Sequence, residues 1–279
     1  LHMKFKLWKE YGALNSIPVF DAFAQGLNNY GFTIVDDHDI ADVNVIWSVL
    51  WHGRMAKNKK VWNYNKPTIV LEVGGIKRGT TWKVGLNGIN RDGNLGPSGN
   101  NNNRARSLGL ELIPWRKTGD YILICGQHDK SLQWENMPPM SKWIMHTIET
   151  VQLYSDKPIL FRPHPRCPLP NIESQYKNVY RQRPQKLLDT YDDFDMSFDN
   201  TWATISWSSN PGIHSVIAGV PVFTGPSSLA WPVSNTGTET IDNPLMPNRQ
   251  QWLNDYAHTE YTIDEITQGI PLTYLTSLL

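Results

Sequence analysis

Three short stretches in the second half of the chain carry residue types suited to holding an anionic ligand and helping a leaving group depart. The first is Cys125-Gly126-Gln127-His128-Asp129-Lys130-Ser131. A glycine directly after an apolar run lets a ligand approach the backbone, and the polar residues behind it can bind a base or a phosphate. The second is Arg162-Pro163-His164-Pro165-Arg166, in which two prolines stiffen the segment and fix a histidine between two cations. Such a histidine can hold a diphosphate or protonate it as it leaves. The third is Ser206-Trp207-Ser208-Ser209-Asn210-Pro211-Gly212-Ile213-His214, leading into Ala218-Gly219-Val220-Pro221-Val222. Small hydroxylated residues ahead of a helix leave backbone N–H groups and the positive dipole end open to an anion.

Each stretch follows a run that reads as a buried strand: Tyr121–Cys125, Pro158–Phe161 and Trp202–Ser206, with a further short strand at Pro221–Thr224. Helices are predicted over Pro139–Tyr154, where Trp143, Ile144, Ile148 and Val151 keep helical spacing, and over Pro211–Ala218. Two more are expected near Arg249–Tyr256 and Ile263–Gln268. In open α/β sheets, ligands bind beyond the carboxyl ends of the strands, which is where all three stretches fall.

The first half repeats the rhythm. Lys4–Trp8, Val43–Trp47 and Thr68–Val73 read as strands, and Ile17–Tyr30 as a helix capped by Ser16, with Pro18 in its first turn and Gly31 as its stop. Residues 52–65 form a basic crossover. From Gly74 to Ser107 the chain becomes rich in Gly, Asn and Arg, including Asn100-Asn101-Asn102-Asn103, and is expected to be a long substrate-facing loop. Strands alternating with helices favour parallel sheets with right-handed crossovers. The domain boundary is placed after residue 115, giving domains 1–115 and 116–279, with the last helix free to pack back on the first.

With 40% hydrophobic and 19% charged residues the chain is an ordinary globular protein, and no run of about 18 apolar residues could span a membrane. Two cysteines, Cys125 and Cys167, make neither a disulfide framework nor a zinc site. A reducing, cytoplasmic setting is expected, as a monomer or homodimer. Leu1-His2-Met3 reads as a remnant ahead of the natural start, with no signal peptide behind it. The net charge of zero conceals +7 over residues 1–119 against −7 over 120–279. Between Val43 and Arg106, 11 basic residues face only Glu72 and Asp92, so the first half is expected to meet an anionic partner. Twelve tryptophans fit stacking on sugars or on bases.

The order strand–Gly-Gln, Arg-Pro-His-Pro, Ser-Ser–helix–Ala-Gly-Val-Pro-Val resembles the nucleotide-sugar domain of GT-B glycosyltransferases, above all the capsular polysaccharide Kdo-transferase group. The chain is also similar to compact phage-encoded glycosyltransferases at Glu72-Val73-Gly74, Arg78, Trp82, Gly88-Ile89-Asn90, Pro114-Trp115-Arg116 and Arg249-Gln250-Gln251-Trp252-Leu253. The resemblance implies an α/β GT-B-like fold of two Rossmann-like domains with parallel sheets facing across a cleft, and metal-independent transfer from a nucleotide-sugar, a UDP-sugar before a CMP-sugar. It places Gly126, Gln127 and Asp129 by the donor, Arg162, His164 and Arg166 by its phosphates, and Ser208, Ser209 and Asn210 at the phosphate-binding helix. His214 stands where such helices often carry a ribose-binding carboxylate. The acidic run Asp189, Asp192, Asp193, Asp195 and Asp199 is taken as a solvated loop, with no metal and no cofactor.

An inverting transfer needs a base near the acceptor hydroxyl. Glu72 is best placed, with Asp21, Asp92 and His52 as rivals, and His164 assists from the donor side. The acceptor is expected to be DNA bearing a hydroxymethylated pyrimidine, exposed by flipping and met by Arg78, Trp82, Asn87, Asn90, Arg91, Lys57, Lys59 and Lys60. Arg54, Lys77, Lys83, Arg104 and Arg106 add to that basic surface. The alternatives are a glycan acceptor of capsule or lipopolysaccharide synthesis and a non-catalytic nucleotide- or carbohydrate-binding protein.

Overall fold

The structure, a computed structural model, describes residues 2–183 and 197–279. Asp189, Asp192, Asp193 and Asp195 of the acidic run lie outside the described residues. The chain divides into two compact units, the first formed by residues 1–109, 130–132 and 254–279, the second by 110–129 and 133–253.

In the first unit, β1 (Lys4–Leu7), β2 (Thr33–Ile34), β3 (Val43–Trp47) and β4 (Thr68–Val73) are parallel. β5 (Thr81–Leu86) turns back antiparallel to β4, and the sheet order is completed by a strand from the far end of the chain. α1 (Ile17–Asn29) lays Val19, Phe20, Phe23 and Leu27 on one face of this sheet, against Phe5, Val43, Val45, Ile69 and Leu71. That spacing keeps the apolar residues on one stripe of the helix. On the opposite face, the short helix α2 (Asn58–Trp62) packs Val61 against Trp8, Ile46, Val49, Val70 and Ile89. Ser16 does not cap α1. Its hydroxyl donates instead to Ala13 O at 2.6 Å, closing the preceding turn.

The span from Gly74 to Ser107 is not one loop, because it contains β5 and, after a bridge between Leu86 and Asn94, the short helix α3 (Asn103–Ser107). Thr81-Trp82-Lys83-Val84-Gly85-Leu86 in fact alternates apolar Trp82, Val84 and Leu86 with Thr81, Lys83 and Gly85, the period of a half-buried strand, but it lies within a stretch whose Gly and Asn content reads as loop.

The second unit is an all-parallel sheet. β6 (Tyr121–Cys125) lies at its centre between β7 (Ile159–Arg162) and β9 (Thr201–Ile205), flanked by β8 (Val179–Arg181) and β10 (Val222–Phe223). α4 (Met140–Gln152) sets Met140, Ile144, Ile148 and Val151 on Ile122, Ile124, Ile159 and Phe161. Leu123, Cys125, Phe198 and Val220 fill the other face, over which α5 (Asn210–Ile217) connects β9 to β10. Buried on both faces, these strands read as continuous apolar runs, which is why they were legible.

The chain passes back to the first unit within α6 (Gln250–Tyr256). The return is longer than a last helix. It comprises β11 (Glu260–Thr262), antiparallel to β5, then α7 (Ile263–Thr267) and α8 (Ile270–Leu275), whose Ile266, Leu272 and Leu275 join the core under α1. Arg104, on α3, fastens it. Its guanidinium donates to both Glu265 carboxylate oxygens, at 2.5 and 2.9 Å, and to the carbonyls of Ala257 and Glu260. Glu265 also closes a capping box with Thr262 at the start of α7. Arg104 is therefore not a cation offered to a partner.

Burial works against the Glu265 carboxylate, but the bonds from Arg104 and Thr262 outweigh it and hold its pKa below the ordinary 4.5. A depressed carboxylate stabilises the fold above the unfolded pKa and loses that contribution as pH falls through the folded one. We expect Arg104→Ala to cost about 3 kcal/mol near neutral pH, where it strands a half-buried carboxylate. Its deficit should shrink below about pH 4.5, as Glu265 takes up a proton. Calorimetric melts of both proteins at the two pH values measure this, and an undiminished deficit in acid would assign Arg104 a packing role alone.

Candidate functional site

Because β6, β7 and β9 are neighbours and parallel, the three polar stretches that follow them emerge along one edge of the second unit's sheet. Gln127, buried, faces Ser208, also buried. The Ser208 N–H donates to Gln127 Oε1 at 3.0 Å, and Gln127 Nε2 donates to Ser208 Oγ at 3.0 Å. This reciprocal pair ties the loop after β6 to the turn before α5.

Ser209 sits at the N-cap of α5 in extended backbone geometry and makes no side-chain cap bond. Its hydroxyl is buried without a hydrogen-bond partner, as are those of Ser206 and Thr224. Ser206 and Thr224 adjoin Gly212 in the first turn of the same helix. Buried hydroxyls normally find a protein or water partner. Three unmet hydroxyls thus lie buried around a helix start that has no side-chain cap, the kind of terminus that suits an anion. Ser206 and Thr224 extend the predicted set. Asn210 and His214, both half-buried, lie on α5 itself.

His164 stands beside His128, with ring centroids 5.8 Å apart and an edge-on interplanar angle of 62°. Its Nδ1 accepts the Arg166 N–H at 3.1 Å, so the neutral ring carries its proton on Nε2. Arg166 is exposed. Arg162 is buried: its Nη2 bonds Gln182 Oε1 at 2.9 Å and Ser197 O at 3.3 Å, while Nε and Nη1 have no hydrogen-bond partner. It anchors the segments around β8 and β9 as well as offering donors. The loop after β6 divides, with Asp129 in the second unit and Lys130–Leu132 in the first, where Trp51 N bonds Lys130 O and Leu132 N bonds Val49 O. Burial raises the Cys125 thiol to about 11, so this cysteine is no nucleophile at neutral pH.

Pro114-Trp115-Arg116 and the Arg249 segment meet in the second unit. The Arg249 guanidinium stacks 3.9 Å over the Trp115 ring and donates to the carbonyls of Val216 and Ile113. Gly219, at φ +77°, touches Pro114 O so closely that a Cβ there would lie 2.2 Å from it. The clasp holds the C-terminal end of α5, and its residues position the site without lining it.

In the first unit the predicted residues separate. Glu72 lies at the carboxyl end of β4, half-buried, its Oε1 accepting the Val73 N–H at 2.8 Å. Arg78 follows in the next turn. Asn87 instead bonds Thr68 N at the opposite end of β4, roughly 13 Å away at ~3.3 Å per residue. Asn90, Arg91 and Asp92 share that far turn, so none of them joins Glu72. Trp82 packs toward the α1 face. Asp21 is exposed on α1, 3.2 Å from Lys9. His52, Arg54, Lys57, Lys59 and Lys60 are exposed beyond β3. Lys83 is 4% exposed and is no surface cation. Glu260, which the sequence reading missed, is fully buried. It accepts from Gly75 N and Ile76 N, each at 2.9 Å, and from Thr81 Oγ1 at 2.8 Å. Asp37, His38 and Asp39 can bring three ligand atoms within 4.8 Å, on the turn after β2, where the His38 ring stacks on Tyr64.

Two solved structures share this fold. KpsC of Thermosulfurimonas dismutans, the beta Kdo 2,7 transferase, matches 98% of this chain and 100% of its own at TM-score 0.54 and 14% identity. The beta Kdo 2,4 transferase of the same organism's KpsC matches 93% of this chain and 90% of its own at TM-score 0.54 and 12% identity. The GT-B-like α/β class expected from the sequence is the class of these neighbours. No family model and no curated protein sequence matches the chain.

Gln127→Ala should leave the Ser208 N–H buried and unmatched, a loss of about 1–3 kcal/mol. A fall in melting temperature, absent in Asn210→Ala, is the expected result.

Proposed function

We propose that the protein is a glycosyltransferase, moving a sugar from a nucleotide-sugar to a hydroxyl. The carrying observation is the start of α5, a helix N-terminus without a side-chain cap, around which the hydroxyls of Ser206, Ser209 and Thr224 are buried and unmatched. A nucleoside diphosphate fits it, with uridine before cytidine as the base. His164, whose Nε2 carries the proton, donates to the phosphate oxygen as the glycosidic bond breaks. The leaving charge is then borne by protein groups, without a metal. The second unit binds the donor and the first the acceptor, with Glu72 as the base that takes the acceptor proton. The fold likeness to two Kdo transferases supports a saccharide acceptor.

A DNA acceptor with hydroxymethylated pyrimidines is the second reading, favoured by the exposed Arg54, Lys57, Lys59 and Lys60 on a segment without acids. Incubation with UDP- and CMP-sugars against saccharides and hydroxymethylated duplexes, read by mass spectrometry, tests both. If DNA is bound, affinity falls with salt at about −0.9 log units per phosphate contacted, and neutralising Lys57, Lys59 and Lys60 flattens the slope. For the donor, His164→Ala should fold and lose about 10²-fold or more in turnover, as for removal of one transition-state donor. Ser209→Glu should weaken nucleoside diphosphate binding in calorimetry. Wild-type affinity in that variant would put the donor elsewhere.

A further inference from the structure

On one face of the first unit's sheet, Lys83 of β5 is in register with Glu72 of β4 on one side and with Glu260 of β11 on the other. Directly opposed residues of antiparallel strands bring their side chains side by side. The row lies one residue in from the carboxyl edge of β4, the edge at which open α/β sheets take ligands. Burial lowers the Lys83 pKa, Glu260 and Glu72 oppose that, and Arg78, in the turn between β4 and β5, adds to the lowering. The four groups sum to zero charge.

Their hydrogen bonds do not balance in the same way. Both Glu260 oxygens are used by Gly75, Ile76 and Thr81. Glu72 commits Oε1 to the Val73 N–H, which leaves Oε2. Among the described residues, the Lys83 ammonium makes no hydrogen bond and no ion pair shorter than 4.0 Å. Arg78 Nε is buried without a hydrogen-bond partner. Two cationic donors and one carboxylate oxygen are therefore unspent in a neutral setting. A phosphate would satisfy the donors but meet the charge of Glu72 and Glu260. A hydroxyl both donates and accepts, so a vicinal pair can give to Glu72 and receive from Lys83 and Arg78 without adding charge.

We propose that Glu72, Lys83 and Arg78 form a hydroxyl-binding subsite that takes the vicinal diol of a neutral saccharide and disfavours a phosphodiester. This deepens the transferase reading by giving the chemistry of its acceptor. The subsite itself is testable without any donor.

The full chain, labelled with ¹⁵N, would be titrated at constant ionic strength with the methyl glycosides of galactose, glucose and mannose, and separately with dimethyl phosphate. Saturable shifts at the amides of Gly75, Ile76 and Lys83 are expected with at least one glycoside and not with dimethyl phosphate. Lys83→Met and Arg78→Gln should each weaken that glycoside by about tenfold or more, the usual scale for one hydrogen bond to a charged group. Arg78 lies on a half-buried turn, so its variant decides the matter if Lys83→Met does not fold. Three outcomes would overturn the proposal: no glycoside saturating at its highest soluble concentration, dimethyl phosphate saturating in their place, or glycoside affinity unchanged in the Arg78 variant. Failure of the transferase reading shows separately, as absence of sugar transfer in an enzyme that still binds glycoside.

Discussion

Glu260 is fully buried, and its carboxylate gathers two backbone N–H groups and a hydroxyl from the turn that joins β4 to β5. A buried carboxylate is tolerable only when its lone pairs are met, and here the turn meets them. The dependence runs both ways. Gly74 comes so close to the carboxylate that a Cβ would lie 2.2 Å from Glu260 Oε1, so the turn cannot be rebuilt around a larger residue while β11 stays in place. The carboxyl edge of the first sheet, with Glu72 and Arg78 on it, is thus shaped by a residue some 180 positions further along the chain. Arg104 secures the same return from the other side of β11.

The second unit uses a different constraint. Parallel strands must all discharge their loops at one edge, and β6, β7 and β9 are adjacent in the sheet, so sheet order brings three polar stretches together. Fixing the start of α5 to the loop after β6 takes the Gln127–Ser208 pair. Fixing its end takes the Arg249–Trp115 clasp. With both ends of an eight-residue helix held, the N–H groups of its first turn keep one direction. Electrostatic preorganisation requires that rigidity, since a dipole that must reorient when charge develops contributes little.

What the sequence disclosed follows from these two regimes. Strands buried on both faces announce themselves as apolar runs, and β3, β4, β6, β7 and β9 were found within one or two residues. Each polar stretch following them was legible because the carboxyl ends of parallel strands share one edge whatever the strand order. β5 lay unread inside a Gly- and Asn-rich stretch although Trp82, Val84 and Leu86 alternate, and β11 is only three residues long. Lys83 and Glu260 make sense only once strands from residues 68, 81 and 260 lie side by side, and nothing local distinguishes Lys83 from a solvated lysine. The resemblance and the local basic excess group the far turn carrying Asn87, Asn90 and Arg91 with Arg78, and neither carries information on which end of β5 each residue occupies. A β-hairpin reverses that grouping, sending residues a few positions apart to opposite ends of a strand.

The fold alters the meaning of the basic stretch from Val43 to Arg106. Counted as sequence, it is a polycation in search of phosphates. Counted in the fold, Arg104 is spent on Glu265, and Lys83 sits in a neutral row inside the sheet. The Lys66 ammonium donates to the carbonyls of His38, Asp39 and Ala41. Arg91 belongs to the far edge. What stays exposed and contiguous is Arg54, Lys57, Lys59 and Lys60 on one short segment, with Lys57 already over the Tyr11 ring at 5.6 Å. Four cations on one segment can attract a polyanion, but the groups at the sheet edge beside Glu72 are charge-balanced, with Arg78 Nε buried and unpartnered. The exposed cations and the charge-balanced row are therefore separate features of this unit, and only the second is built into its interior.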